Sequence, residues 1–241
     1  MKLRGQVALI TGAGSGLGAA IAAALAGEGA ACALAGRRRD RLAAVAARLG
    51  PAARIFACDV ADETQVAGLM ADLIEAFGRL DLLVNSAGVF HRRPFEATTP
   101  EFWDQTINSN LRGVYLVCRA AWPHLTASRG QIVNISSVAG VQGFSGSAAY
   151  CASKFGVNGL TEVLALEGKP HGLRAFAVCP AQTDTPIWEG QAPPEVRARM
   201  MPPEIVADLV RWLVTAPRQV ELPPIVIRNF NDPWVEPADS A

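Results

Sequence analysis

The residues Thr11-Gly12-Ala13-Gly14-Ser15-Gly16-Leu17-Gly18 follow directly on the apolar run Val7-Ala8-Leu9-Ile10 and lead into an alanine-rich stretch with helical spacing. This reads as a strand, a glycine turn and the start of a helix. Such a turn leaves the amide donors at the helix's amino end open to close approach and at positive potential, which is what a phosphate requires. With a strand before it and a helix after it, the motif predicts a dinucleotide site and constrains the whole chain to an α/β design.

The rest of the chain fits that design. Short apolar runs recur at Gln6–Thr11, Ala31–Gly36, Ala53–Cys58, Leu80–Val84, Gln131–Ser136, Leu173–Cys179 and Pro224–Arg228, with amphipathic segments between them. Strands alternating with helices build βαβ units and a parallel sheet. The runs do not alternate apolar with polar residues, so both sheet faces should be covered by helices. The predicted fold class is a Rossmann-type, doubly wound α/β fold with a seven-stranded parallel sheet, and one domain spans residues 1–241. Asp62 is placed to cap a helix through Gly78, Thr99 followed by Pro100 opens a long helix reaching Trp122-Pro123, and a third runs from near Ser147 to Gly168. Residues 181–203, with five prolines, lie beyond the carboxyl end of a strand, where sheets of this type bind ligands; they read as a substrate lid. The tail, 229–241, reads as flexible.

Composition narrows the partners. Lys plus Arg and Asp plus Glu each number 22, so no global field draws the chain to nucleic acid or to a membrane surface. No export pattern or spanning run is seen, which makes the cytoplasm the expected location. The five cysteines, Cys32, Cys58, Cys118, Cys151 and Cys179, lack paired spacing and read as reduced thiols; no metal site is expected.

The candidate chemistry lies late in the chain. Ser136-Ser137 end a strand, Tyr150 follows, and Lys154 stands four residues on, on the same helical face as the tyrosine. With these residues in place the chain resembles the short-chain dehydrogenase/reductase family in its single-domain form. The resemblance rests on Thr11–Gly18, Asp59, Asn85-Ser86-Ala87-Gly88, Asn110, Ser137, Tyr150-x-x-x-Lys154 and Pro180…Thr185, in order over residues 11 to 185.

The resemblance implies NAD(P)-dependent interconversion of a small-molecule carbonyl and its alcohol by direct hydride transfer. It implies Tyr150 as acid–base residue, Lys154 as its electrostatic partner and ribose contact, Ser137 as holder of the substrate oxygen, and Asn110 as organiser of a water that connects Lys154 to solvent. Bringing a phenol down by about three pH units needs roughly 4 kcal/mol, the order an ammonium about 4 Å away supplies at intermediate dielectric. Cofactor contacts are implied at Gly12, Gly14, Ser15, Gly16, Leu17 and Gly18, at Asp59 and Val60, at Asn85, Ala87 and Gly88, at Tyr150 and Lys154, and at Pro180, Thr183 and Thr185. Relatives of this kind pair their long helices between subunits, so a homodimer or homotetramer is expected.

The second strand ends Gly36-Arg37-Arg38-Arg39. An NAD-selective site usually carries a carboxylate there for the ribose hydroxyls, and that charge repels the extra phosphate of NADP. With glycine in its place and guanidinium groups following, the site suits a 2′-phosphate. NADP(H) is the predicted cofactor, with Arg37 the main contact and Arg38 its neighbour. Val141, Phe144 and Trp188 join Ser137 and Tyr150 as candidate substrate contacts, His91-Arg92-Arg93 is a rim that could draw an acidic group, and the identity of the carbonyl compound stays open. A 3-oxoacyl reductase is the rival enzyme reading, one that would need a basic docking surface near the lid, where Arg197 and Arg199 are the candidates. The reading from a different class is a catalytically idle protein that senses NADP(H).

Overall fold

Seven strands, all parallel, form one sheet in the computed structural model, which describes residues 1–234. They are β1 (Val7–Thr11), β2 (Ala31–Gly36), β3 (Ala53–Ala57), β4 (Leu82–Asn85), β5 (Gln131–Ile135), β6 (Arg174–Pro180) and β7 (Ile225–Ile227), within one or two residues of the apolar runs. The order β3-β2-β1-β4-β5-β6-β7 reverses direction between β1 and β4. A crevice opens at that reversal, beyond the carboxyl ends of the strands.

Eight α-helices cover the two faces among the described residues: α1 (Gly16–Gly27), α2 (Arg39–Leu49), α3 (Glu63–Phe77), α4 (Pro100–Ile107), α5 (Gly113–Ser128), α6 (Ala148–Gly168), α7 (Pro194–Arg197) and α8 (Pro203–Thr215). Strand residues feed the faces alternately. Ala8 and Ile10 of β1 pack with Ile21 and Leu25 of α1 and Val210 of α8, while Val7 and Leu9 pack with Leu73 of α3, Val117 of α5 and Val157 of α6. Every residue of β1, β4 and β5 is buried, as strands covered on both sides must be.

The helix starts follow capping chemistry. The Asp62 carboxylate accepts hydrogen bonds from the amides of Thr64 and Gln65, and the Thr99 hydroxyl accepts one from Phe102 with Pro100 at the first helical position. The segment expected as one helix from Thr99 to Pro123 differs in two ways. A π-helical turn over Asn108–Arg112 separates α4 from α5, and α5 continues through Pro123 to Ser128. Proline removes one ladder hydrogen bond, but Val117, Ala121 and Leu125 stay buried on the same face, and that packing carries the helix onward.

Two further segments position the site. The 181–203 stretch contains a short 3₁₀ turn, Pro186–Trp188, and α7, and its base is closed by a parallel bridge between Thr183 and Met201. In the tail, which reads as flexible, 229–234 lie against the lid: the Asn229 side-chain amide donates to the Gln182 carbonyl at 3.0 Å and the Arg199 guanidinium to the Pro233 carbonyl at 2.7 Å. Residues 235–241 lie outside the described residues.

Candidate active site

Thr11 ends β1 with its hydroxyl accepting hydrogen bonds from the amides of Ser86 and Ala87, which ties the glycine turn to the loop after β4. Gly12, at φ +66°, is held so closely there that an added Cβ would stand 2.8 Å from the Ala87 backbone. At Gly18 a Cβ would stand 2.4 Å from the Gly12 carbonyl oxygen. Only glycine fits these positions, and the result is a tight turn delivering the first amides of α1 to a cavity of about 610 Å³. Gly14, Ser15, Gly16 and Leu17 form the same wall. Ser15 stands at the N-cap without using its side chain on the helix, and Thr185 packs over Gly16 from the far side.

Arg37, Arg38 and Arg41 line one end of the cavity, past the carboxyl end of β2. Gly36 ends β2 with no side chain of its own, and a Cβ there would touch only Leu42, at 3.6 Å. Asp59 and Val60 line the adjacent wall, with one Asp59 carboxylate oxygen accepting from the Ala61 amide at 3.0 Å. A phosphate-sized cradle of glycines and helix amides, followed by exposed guanidinium groups, suits a dinucleotide bearing an added phosphate.

The other end holds the expected chemical groups. Ser137, Tyr150 and Lys154 all line the cavity, with the Lys154 ammonium 5.7 Å from the Tyr150 ring centre. Lys154 is buried and donates to the Ile135 carbonyl at 2.8 Å. The neighbouring serines divide their work: Ser136 donates to the Lys154 carbonyl and braces α6, whereas the Ser137 oxygen accepts from the Ala139 amide and faces Tyr150. Asn110, in the π turn, is fully buried behind Gly88. Its side chain both accepts from and donates to the Val89 backbone at 2.8 Å and donates to Ser153 at 3.3 Å. Asn108 is exposed.

The electrostatics differ from the expectation of a lowered phenol. Burial pushes the Tyr150 hydroxyl up to about 12, against the pull of the Ser137 hydroxyl. Burial also brings Lys154 down to about 8, with the Cys179 thiol acting in the opposite direction. Desolvation disfavours the charged form of each group, and it is the largest cause in both cases.

Two expected contacts fall elsewhere. Asn85 is buried inside the sheet, donating to the Asn134 side chain at 2.9 Å and to the Cys118 sulfur, and it braces β4 against β5 without lining the cavity. Val141 is exposed and lies outside the cavity wall, because the 3₁₀ turn Val138–Gly140 carries it past the rim. Pro180, Thr183 and Thr185 line the cavity on the lid side, as do Phe144 and Trp188.

Several lining residues escaped the sequence reading, and four of them bring side chains that shape the wall. Arg41 lies in the first turn of α2, three residues beyond Arg38 at its N-cap. Phe90 packs on Tyr150 with ring centres 4.7 Å apart and on Trp188 at 5.2 Å. Gln191 donates to the carbonyls of Phe90 and Ile187 at 2.7 and 2.8 Å, leaving its own buried oxygen without a partner among the described residues. Trp234 comes from the docked tail, and no sequence signal pointed to it. Arg197 and Arg199 are engaged within the lid and strap, the first paired with Asp184 at 2.6 Å.

The sequence pattern of the family described as short chain dehydrogenase matches residues 6–195. Among curated proteins, the chain is 39% identical over 215 residues to 3beta-hydroxysteroid dehydrogenase of Mediterraneibacter gnavus, covering 86% of this chain and 77% of that protein. It is 43% identical over 197 residues to D-threitol dehydrogenase of Mycolicibacterium smegmatis, covering 78% and 76%. Among solved structures, 3-ketoacyl-(acyl-carrier-protein) reductase from Brucella melitensis, crystallised with NADH, superposes with a TM-score of 0.86 at 28% identity, over 95% of this chain and 98% of that one. The chain belongs to the short-chain dehydrogenase/reductase family of oxidoreductases, which act on alcohol and ketone substrates with a nicotinamide cofactor.

Proposed function

We propose that the protein is an NADP(H)-dependent carbonyl reductase, reversible as an alcohol dehydrogenase, that works as a homo-oligomer in the cytoplasm. The observation that carries this reading is the convergence of Ser137, Tyr150 and Lys154 on one end of a cavity whose other end is lined by Arg37, Arg38 and Arg41.

A bound nicotinamide would supply or accept the hydride at the carbonyl carbon. The glycine turn and the α1 amides would hold the diphosphate, Asp59 and Val60 would border the adenosine, and Arg37 with Arg38 would grip the 2′-phosphate. Thr183 and Thr185 would border the nicotinamide end. In reduction, Ser137 hydrogen-bonds the substrate oxygen and Tyr150 passes its hydroxyl proton to that oxygen as the alcohol forms. A phenol raised to about 12 carries this proton throughout the neutral range. In oxidation Tyr150 takes the proton back, and the Lys154 charge stabilises the phenolate that receives it.

The rival 3-oxoacyl reductase reading fits the likeness to the Brucella melitensis reductase without outweighing the main one, and the two arginines expected to dock a carrier protein, Arg197 and Arg199, are engaged with Asp184 and the Pro233 carbonyl. Oligomerisation is supported by the exposed apolar residues Tyr115 on α5 and Phe155, Val163 and Leu166 on α6. A monomer by light scattering would refute it.

The test is NADPH oxidation across a panel of ketones, aldehydes and 3-oxoacyl thioesters. Tyr150→Phe is expected to retain NADPH binding and to lose turnover by about a thousandfold. Equal turnover by wild type and variant would remove Tyr150 from the chemistry, and NADPH binding without turnover on any substrate would favour the sensing role.

A further inference from the structure

We infer that the C-terminal strap, residues 229–234, roofs the substrate end of the cavity, and that Trp234 is a specificity residue selecting a neutral, flat, ring-bearing ketone or alcohol. The substrate role rests on the carbonyl reductase reading; the roof itself rests on contacts.

Four aromatic rings run in sequence from the reactive phenol to the strap. Tyr150 meets Phe90 at 4.7 Å, Phe90 meets Trp188 at 5.2 Å, and Trp188 meets Trp234 at 6.4 Å, with interplanar angles of 58°, 69° and 61°. Such a wall offers faces and edges to a flat molecule bound along it. Three interactions aim the outermost ring. The Trp234 amide donates to the Asp232 carboxylate at 3.0 Å, the Arg199 guanidinium holds the Pro233 carbonyl, and the Arg92 guanidinium lies 5.6 Å from the Trp234 ring centre.

Mere shielding of Trp188 would leave Trp234 packed over, yet the residue is 40% exposed and lines the cavity. The strap's anchors, Gln182 and Arg199, both belong to the lid, so strap and lid form one cover. Charge does not select the ligand. His91, Arg92 and Glu189 line the same end, and the mixture of signs favours a neutral ring over an acidic group.

The test compares wild type, Trp234→Ala and Trp234→Phe as full chains saturated with NADPH. Binding of 2-naphthol is followed by equilibrium dialysis, and kcat and KM are measured for 1-tetralone and 2-butanone. Trp234→Ala is expected to weaken 2-naphthol about tenfold and to lower the ring-to-acyclic ratio of kcat/KM by a similar factor through KM, with Trp234→Phe recovering most of both. Equal losses on the two ketones, or 2-naphthol binding unchanged in Trp234→Ala, would overturn the inference. Should no ketone be reduced while 2-naphthol binding still falls in Trp234→Ala and recovers in Trp234→Phe, the roof stands and the reductase reading fails.

Discussion

The two ends of the cavity are built from different materials. At the nucleotide end, the wall is mostly main chain: a glycine turn, the amino end of α1 and strand termini fixed by the sheet register, with no tolerance for a Cβ at Gly12 or Gly18. At the substrate end, the wall is side chain, contributed by the 86–93 loop, the 181–203 lid and the strap, and held by hydrogen bonds such as that from Gln191 to the Phe90 carbonyl. Main-chain geometry can be shared by proteins with different substrates, whereas a side-chain wall can be rebuilt without moving the sheet. One end suits a nucleotide common to the family, and the other is free to vary with the substrate.

The sharpest test of that division replaces a charge at the nucleotide end. Arg37 is exposed, lines the cavity and makes no salt bridge among the described residues, so its charge is available to a phosphate. Losing a charge-assisted hydrogen bond is worth about 1.5–3 kcal/mol, and an aspartate adds repulsion. Arg37→Asp is therefore expected to shift the kcat/KM preference from NADPH toward NADH by about a hundredfold, with KM for the ketone little changed. An unmoved preference would mean that the basic run is only a solvated helix start.

Glycine replacements probe the difference in material directly. Gly18→Ala drives a methyl group into the Gly12 carbonyl, an overpacking expected to cost about 2 kcal/mol. For a chain of this size that lowers Tm by roughly 5 °C, and NADPH binding should weaken with it. Gly143 lies near the rim with nothing within 4 Å of an added Cβ, so Gly143→Ala should shift Tm by less than about 1 °C. Similar shifts in thermal melts of the two variants would erase the distinction.

The same division explains what was legible in the sequence. Strands showed as apolar runs because both sheet faces are buried, and the glycine turn showed because its steric demands permit one residue type. Ser137, Tyr150 and Lys154 were found because a strand end and one helical turn fix their relative positions. The bracing role of the Asn85 side chain was not legible, because a motif does not show where a side chain turns: its amide joins the Asn134 and Thr161 network inside the fold. Trp234 was missed because no local period links a chain end to a lid more than thirty residues earlier, and only the tertiary hydrogen bonds to Gln182 and from Arg199 bring them together. Spacing predicts proximity, but not the balance of burial against charge around Tyr150 and Lys154.

That balance leaves a pH signature at the junction of the two ends. Lys154, brought from 10.5 to about 8, binds fewer protons in the folded chain than in the unfolded chain between those values. The cost of burying its charge is fully present below pH 8 and fades as pH rises toward 10.5, so this group makes stability rise with pH in that window. Tyr150, raised from 10.0 to about 12, acts oppositely above pH 10, and the buried thiols of Cys32 and Cys118, raised from 9.0 to about 12, oppose it from about pH 9. Subtracting wild type from Lys154→Met isolates the lysine. In urea titrations the variant should be the more stable at pH 7, with an advantage that shrinks by about 1 kcal/mol per unit between pH 8 and 10. An advantage constant over that range would show that the ammonium is stabilised by its surroundings rather than desolvated by them. The Ile135 carbonyl would then count as part of the catalytic electrostatics, and the boundary between a main-chain nucleotide end and a side-chain substrate end would have to move to include it.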